Sequence, residues 1–151
     1  MANGSSIVVN STDFQKAIQA QKIDVDIAAN RIVRRGGQLI AKKAKEQFQG
    51  NTKEPAGGGR PHRRTGALAD SIDVHKVDRL EPGRWSSMTY GTTVYARRLE
   101  LGFLGVDALG RKYGPPINPA KYPYLSPAVK ESRRGLKEIY TLEWEAALKH
   151  G

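Results

Sequence analysis

Residues 23–49, IDVDIAANRIVRRGGQLIAKKAKEQFQ, decide the fold. Ala29, Val33, Gly36, Ile40, Ala44 and Phe48 recur at three- and four-residue spacing, with Ala28, Ile32 and Leu39 beside them. That is the period of one face of an α-helix. The basic residues fall mostly off this stripe, so the segment predicts one long amphipathic helix. Gly36 and Gly37 interrupt it, and each costs about 1 kcal/mol relative to alanine in a helix interior. The pair must therefore kink the helix or let another backbone approach closely. A short helix over 13–21, capped by Ser11 or Thr12, is expected ahead of it.

Downstream, residues 50–64 (GNTKEPAGGGRPHRR) hold three consecutive glycines and two prolines, which suit neither a helix nor a central strand. They read as a flexible cationic arm. A phosphate loop is a poor match, because the Gly-x4-Gly-Lys-Ser/Thr order is absent. Residues 70–78 alternate, with Ile72, Val74 and Lys76 on one face and Ser71, Asp73, His75 and Val77 on the other, the period of a strand. Residues 80–83 (LEPG) supply a turn, and 84–93 the return strand with Trp85, Met88 and Tyr90 as its large side chains. Residues 94–102 fit either a third strand or a short helix stopped by Gly102. Residues 103–124 are rich in glycine and proline and read as a second long flexible loop. From Ser126, a cap, and Pro127, a first-turn residue, the positions Val129, Leu136, Ile139, Tyr140, Trp144, Ala147 and Leu148 keep helical spacing to the end. The expectation is a single α+β domain over 1–151, with 1–10 flexible. In it the long basic amphipathic helix and the C-terminal helix pack on a small antiparallel β-sheet.

Composition narrows the function. At 151 residues and 38% hydrophobic content the chain can build a core without staples. The absence of cysteine excludes disulfides, thiolate zinc sites and cysteine catalysis. No apolar run reaches the roughly 20 residues of a membrane span, and none near the start suits an export signal. No membrane partner and a cytoplasmic origin are expected. Of the net charge of +10, residues 22–64 contribute seven, as eleven basic against four acidic side chains. Such a field attracts polyanions. Phe48 is the only aromatic residue in that stretch, so base stacking is not the mode expected, and contact would be to a phosphate backbone. The candidate contacts with DNA, or with an acidic partner, are Arg60, Arg63, Arg64, Lys42 and Lys45. His62, His75 and His150 lack metal-ligand spacing. Asp70, Asp73, Asp78 and Glu81 could be assembled into a divalent-metal nuclease site only as a remote reading. No catalytic, cofactor or metal site is expected.

Three short constellations remain. Arg64-Thr65-Gly66-Ala67-Leu68-Ala69-Asp70-Ser71-Ile72 follows the arm; Tyr95-Ala96 with Glu100 and Gly102 comes next; Pro123-Tyr124-Leu125-Ser126-Pro127-Ala128 opens the last helix. In this order, across roughly residues 28–135, the chain resembles the tail-completion, or neck, protein family of long-tailed double-stranded DNA bacteriophages. The loop between Gly102 and Pro123 is longer than in the simpler family pattern. The resemblance implies a non-enzymatic virion component at the head–tail junction, assembled in the host cytoplasm. It would form a ring, sixfold as the natural match to a tail, between the head-closure (connector) protein and the tail tube or tail terminator protein. Tyr95, Glu100, Gly102 and Leu125 would lie at a subunit interface, and the basic residues would face genomic double-stranded DNA in the lumen or an acidic neighbour. The alternative is a free cytoplasmic nucleic-acid-binding protein that contacts the phosphate backbone through its basic helix and arm.

Overall fold

The computed structural model describes residues 11–48, 61, 65–102, 105–106, 110, 112–113 and 122–149. In chain order these form helix α1 (Ser11–Glu46), α2 (Ala67–Ser71), strands β1 (Ile72–Glu81) and β2 (Arg84–Gly91), α3 (Ala96–Leu101), β3 (Gly105–Val106), β4 (Lys112–Tyr113) and α4 (Leu125–Lys149). The chain is α+β: a long N-terminal helix and a C-terminal helix are packed with a two-stranded antiparallel sheet, β1 with β2. The segments 1–10 and 50–64 expected to be flexible lie outside the described residues, apart from Pro61, whose side chain is fully buried. Within 103–124 the described residues include a second small hairpin, β3 with β4, where the sequence suggested only loop.

The helix is one element of 36 residues and not two. At 1.5 Å per residue it is about 54 Å long. Gln21 and Lys22 are good helix formers, so nothing separates the expected short helix from the long one. It also runs through the glycine pair. A Cβ on Gly36 would stand 2.9 Å from Leu136 Cδ2. One on Gly37 would stand 2.8 Å from Val74 Cγ2, 3.1 Å from Thr89 Oγ1 and 3.2 Å from Ser87 Oγ. The close approach that the glycines permit is thus filled by side chains of the sheet and of α4, not by another backbone. Gly135 answers from α4, where a Cβ would meet Leu39 Cδ2 at 2.7 Å. The hydroxyls of Ser87 and Thr89 donate to the helix carbonyls of Val33 (2.9 Å) and Gly37 (3.2 Å), which locks β2 onto α1.

The hairpin departs from simple alternation. Its register slips between Val74 and Lys76 and again between Arg79 and Glu81, leaving His75 and Leu80 as extra residues on β1. A one-residue bulge reverses which face the later side chains take. Val77 is therefore half-buried and Lys76 exposed, the reverse of the faces their spacing suggests. His75 pins the first bulge: Nε2 lies 3.1 Å from the Ser71 carbonyl and 3.0 Å from the Tyr90 carbonyl, and the ring packs on Tyr90 at 4.3 Å. Both partners accept, so Nε2 carries the proton. At the hairpin tip, Asp26 of α1 takes the Gly83 N–H (2.8 Å), Trp85 Nε1 (3.0 Å) and Arg79 Nε (3.2 Å) on one oxygen. The Gly83 hydrogen bond is the largest influence and, with Trp85 and Arg79 outweighing desolvation, it holds this carboxyl below its usual pKa.

The main core lies at the other end of α1. Ala41, Ala44 and Phe48 meet Leu68, Ala69, Ile72, Ala96, Tyr124 and Ala128, with Leu99 and Leu125 packed alongside. Phe48 and Tyr124 form a tilted ring pair at 5.4 Å. Asp70 and Ser71 close α2 and do not begin the strand. Residues 96–101 take the helical alternative, ended by Gly102 at φ +78°.

The two helix glycines should respond differently to alanine. At Gly36 the one close atom among the described residues is Cδ2 at the tip of the Leu136 side chain, which can turn aside, so the gain of about 1 kcal/mol in helix propensity roughly cancels the crowding. At Gly37 the new methyl meets a stiff β-branched side chain and two hydroxyls already committed to carbonyls. Gly37→Ala should lose about 1–2 kcal/mol in urea unfolding while Gly36→Ala stays within about 0.5 kcal/mol of the parent. Equal losses would show that Leu136 gives way no more readily than Val74 does.

Candidate functional site

Residues 31–45 contain six cations and no anion. On α1 the positions Arg31, Arg34, Arg35, Gln38, Lys42 and Lys45 are spaced by three and four, so they form one row along the helix. Gly37, Ala41 and Ala44 are buried, while Arg31, Arg34, Arg35, Gln38 and Lys42 are exposed and Lys45 is half-buried. Partners neutralise only part of the row. Glu143, 8% exposed on α4, binds Arg35 directly and lies 4.0 Å from Arg31, so two guanidiniums share one carboxylate. Lys43, beside the row, pairs with Glu46 at 2.7 Å, which raises the lysine pKa and lowers that of the glutamate. Lys42 adds to the field on Glu46. Arg34 and Lys45 have no ion-pair partner among the described residues. Of the five sequence-nominated contacts, Lys42 and Lys45 thus sit in a single row, and Arg60, Arg63 and Arg64 lie outside the described residues. Arg31, Arg34 and Arg35 belong to that row as well, and their i, i+3, i+4 spacing from Lys42 and Lys45 was the available signal.

The residues nominated for a subunit interface gather at the junction of α3 and α4. Glu100 accepts the backbone N–H groups of Tyr124 (2.7 Å), Leu125 (2.9 Å) and Ser126 (2.9 Å), together with the Ser126 hydroxyl (2.5 Å). This carboxylate supplies the cap that Ser126 was expected to give, and its charge faces the positive end of the helix dipole. Ser126 itself falls in the first turn of α4. Desolvation pushes the Glu100 pKa up, but the four hydrogen bonds together outweigh it and the value falls below the usual one. Burial, and then the Glu100 charge, push the phenol of Tyr124 up to about 12. Leu125 packs against the core and Gly102 ends α3 in the left-handed region, where glycine is unstrained. Tyr95 stays exposed at the start of α3. Val94, next to it in sequence, is 96% exposed, and Leu101 at the other end of α3 is 58% exposed, two apolar side chains that no sequence motif singled out.

Other uncovered apolar side chains lie on the first part of α1, where Phe14 and Ile23 are each 60% exposed, and on the hairpin at Leu80 and Met88. Of the four acidic residues of the remote nuclease reading, three are separately engaged: Asp73 receives the Val74 N–H, Asp78 pairs with Lys76 and Glu81 with Arg84. Among the described residues no three His, Asp or Glu side chains gather as a metal site. No helix among them is long and apolar enough to cross a membrane. Comparison with protein-family models, with curated proteins and with solved structures gives no match.

The junction carries a pH signature. A carboxyl whose pKa is lower folded than unfolded stabilises fully above its unfolded value, near 4.5, and loses that contribution as pH falls through the folded value. Glu100→Gln should therefore be less stable than the parent at pH 7, by about 1–2 kcal/mol for a charged cap reduced to a neutral one. The gap should close as the pH is lowered below about 4.5. Urea titrations of both proteins at pH 7 and pH 3 measure it; a gap that is independent of pH would assign Glu100 a packing role only.

Proposed function

We propose that this chain is a structural protein of the bacteriophage virion neck, which completes the tail and joins it to the head-closure ring as one subunit of a ring around the DNA channel. The observation that carries the reading is convergence. Residues of all three motif segments meet in one packed cluster: Leu68, Ala69 and Ile72 from the first, Ala96 from the second, Tyr124, Leu125 and Ala128 from the third, and Glu100 of the second ties to the backbone of the third. The neck-protein resemblance therefore falls on a cooperating structural unit and not on scattered short matches.

The uncovered apolar residues support an assembly role. Exposed apolar surface marks interaction sites on soluble proteins, and Val94 and Tyr95 before α3, with Leu101 at its end, leave one set of apolar side chains uncovered in the segment where the resemblance places a subunit contact. The first turns of α1 offer another at Phe14 and Ile18, on a stretch whose residues 11–23 are all exposed. A head-to-tail contact through two different patches closes into a ring only at the right rotation. Glu100 and Leu125 take part by shaping the α3–α4 corner behind the contact, and Tyr95 by touching the neighbour. Head-closure protein on one side and tail tube or tail terminator protein on the other are the partners of this reading, with the virion as its location.

The test is genetic and structural together. Virions made without the protein should accumulate as separate filled heads and tails by electron microscopy; normal joining would sink the proposal. In the complementing assay, Val94→Glu with Leu101→Glu should fail to restore joining while melting within about 2 °C of the parent, because both positions are exposed and surface substitutions rarely exceed about 0.5 kcal/mol. Full complementation by that double variant would move the interface elsewhere on the surface.

A further inference from the structure

We propose that the basic row of α1 binds the phosphate backbone of duplex DNA, with Arg34, Lys42 and Lys45 as its principal contacts and Arg31 and Arg35 adding one net charge between them. This deepens the ring reading by naming what the row faces, but it is argued from α1 alone. The charge count leaves about four uncompensated positive charges on the row: three from Arg34, Lys42 and Lys45, and one from the two arginines that share Glu143. From Arg34 to Lys45 the helix rises about 16 Å. Measured along the axis of B-form DNA, at 3.4 Å per phosphate of each strand, that length covers about five phosphates per strand. A row of this pitch matches a regular polyanion laid along the helix better than it matches a compact acidic patch.

Other features of the row narrow the ligand. Residues 31–45 contain no aromatic side chain, so the stacking platform that single strands require is missing and the duplex backbone is favoured. Three of the five cations in the row are arginines, whose planar fork meets phosphate oxygens in pairs. The row is also held rigid, because the carbonyls of Val33 and Gly37 in the same helix turns are tied to Ser87 and Thr89. The guanidiniums and ammoniums therefore ride on a backbone that does not have to order when DNA arrives, and only their side-chain rotamers are lost on binding.

Fluorescence anisotropy of the full chain with a labelled 20-base-pair duplex of mixed sequence tests the proposal. Four phosphates neutralised at about 0.9 each give a log–log salt slope of about −3.6 or steeper, which is roughly a 150-fold loss of affinity between 50 and 200 mM salt. Replacing Arg34, Lys42 and Lys45 together by glutamine should flatten the slope by about 2.7 and leave the fold intact by circular dichroism. The control Lys130→Gln with Lys137→Gln, exposed on α4, should leave the slope in place. No binding of the parent at 50 mM salt overturns the inference, and so does a triple variant whose slope changes by less than about 1. If the row instead meets an acidic protein, the parent binds polyglutamate but not the duplex, which also overturns it. Head–tail joining in virions made without the protein is scored separately: duplex binding by the parent together with normal joining in its absence would end the ring reading and leave this one standing.

Discussion

Everything in this molecule hangs on the distance at which α1 is approached by its neighbours. Gly36 and Gly37 lie side by side on the helix, and their missing side chains open two pockets on adjacent faces. Leu136 of α4 enters one; Val74, Ser87 and Thr89 of the hairpin enter the other. On α4, Gly135 receives Leu39 in return. A two-stranded sheet is marginal by itself in water, and this one gains its support from close packing plus two hydroxyl-to-carbonyl hydrogen bonds that only a shallow helix surface allows. The helix-propensity cost of two glycines is thereby offset at a position where any larger residue would push one neighbour away.

The same constraint explains where the rest of the chain goes. With hairpin and α4 both seated at the middle of α1, the core is forced toward the C-terminal end of that helix, around Phe48 and Tyr124, and the first turns are left uncovered. The chain fills the packed end with small side chains on the two long helices, Ala41, Ala44 and Ala128, and with single large ones from the elements between them, Leu68 of α2, Ile72 at the start of β1 and Tyr124 just before α4. Glu100 then fixes the direction of α4 by holding three of its leading N–H groups, while Asp26 fixes the tip of the hairpin at the opposite end. Two carboxylates, each with its pKa held down, anchor the two ends of the structure. Acid therefore attacks the fold at both anchors.

Much of this was legible in the residues. The three- and four-residue period of 23–49, the turn at 80–83 and the spacing after Ser126 led to α1, the hairpin and α4 because hydrophobic periodicity reports burial directly. The contacts between distant residues were not legible. Asp26 sits between Val25 and Ile27 with no local sign that it reaches Gly83, and Glu100 lies 24 positions before the first amide it caps. The bulge at His75 was hidden because alternation is counted in sequence, whereas the face of a strand is set by its partner's register. Val77 and Lys76 exchanged places for that reason alone. For the site, Lys42 and Lys45 were found by local charge density, but the depth of Glu143 between Arg31 and Arg35, and so the number of charges left over, depended on α4.

That leftover charge is the feature the fold does not need. A helix with six cations in fifteen residues repels itself, and like charges spaced by three or four along a helix are destabilising. The chain relieves part of the strain with one buried glutamate from α4 and with Glu46, and both lie at the edges of the row. It leaves Arg34, Lys42 and Lys45 without an ion-pair partner among the described residues, although Gln38 stands as a neutral residue where a glutamate would satisfy both Arg34 and Lys42 at four-residue spacing. The buried half of α1 is shaped by close packing, and the exposed half keeps an electrostatic cost that packing could not have imposed. A negatively charged partner outside the chain is the simplest physical reason for keeping it.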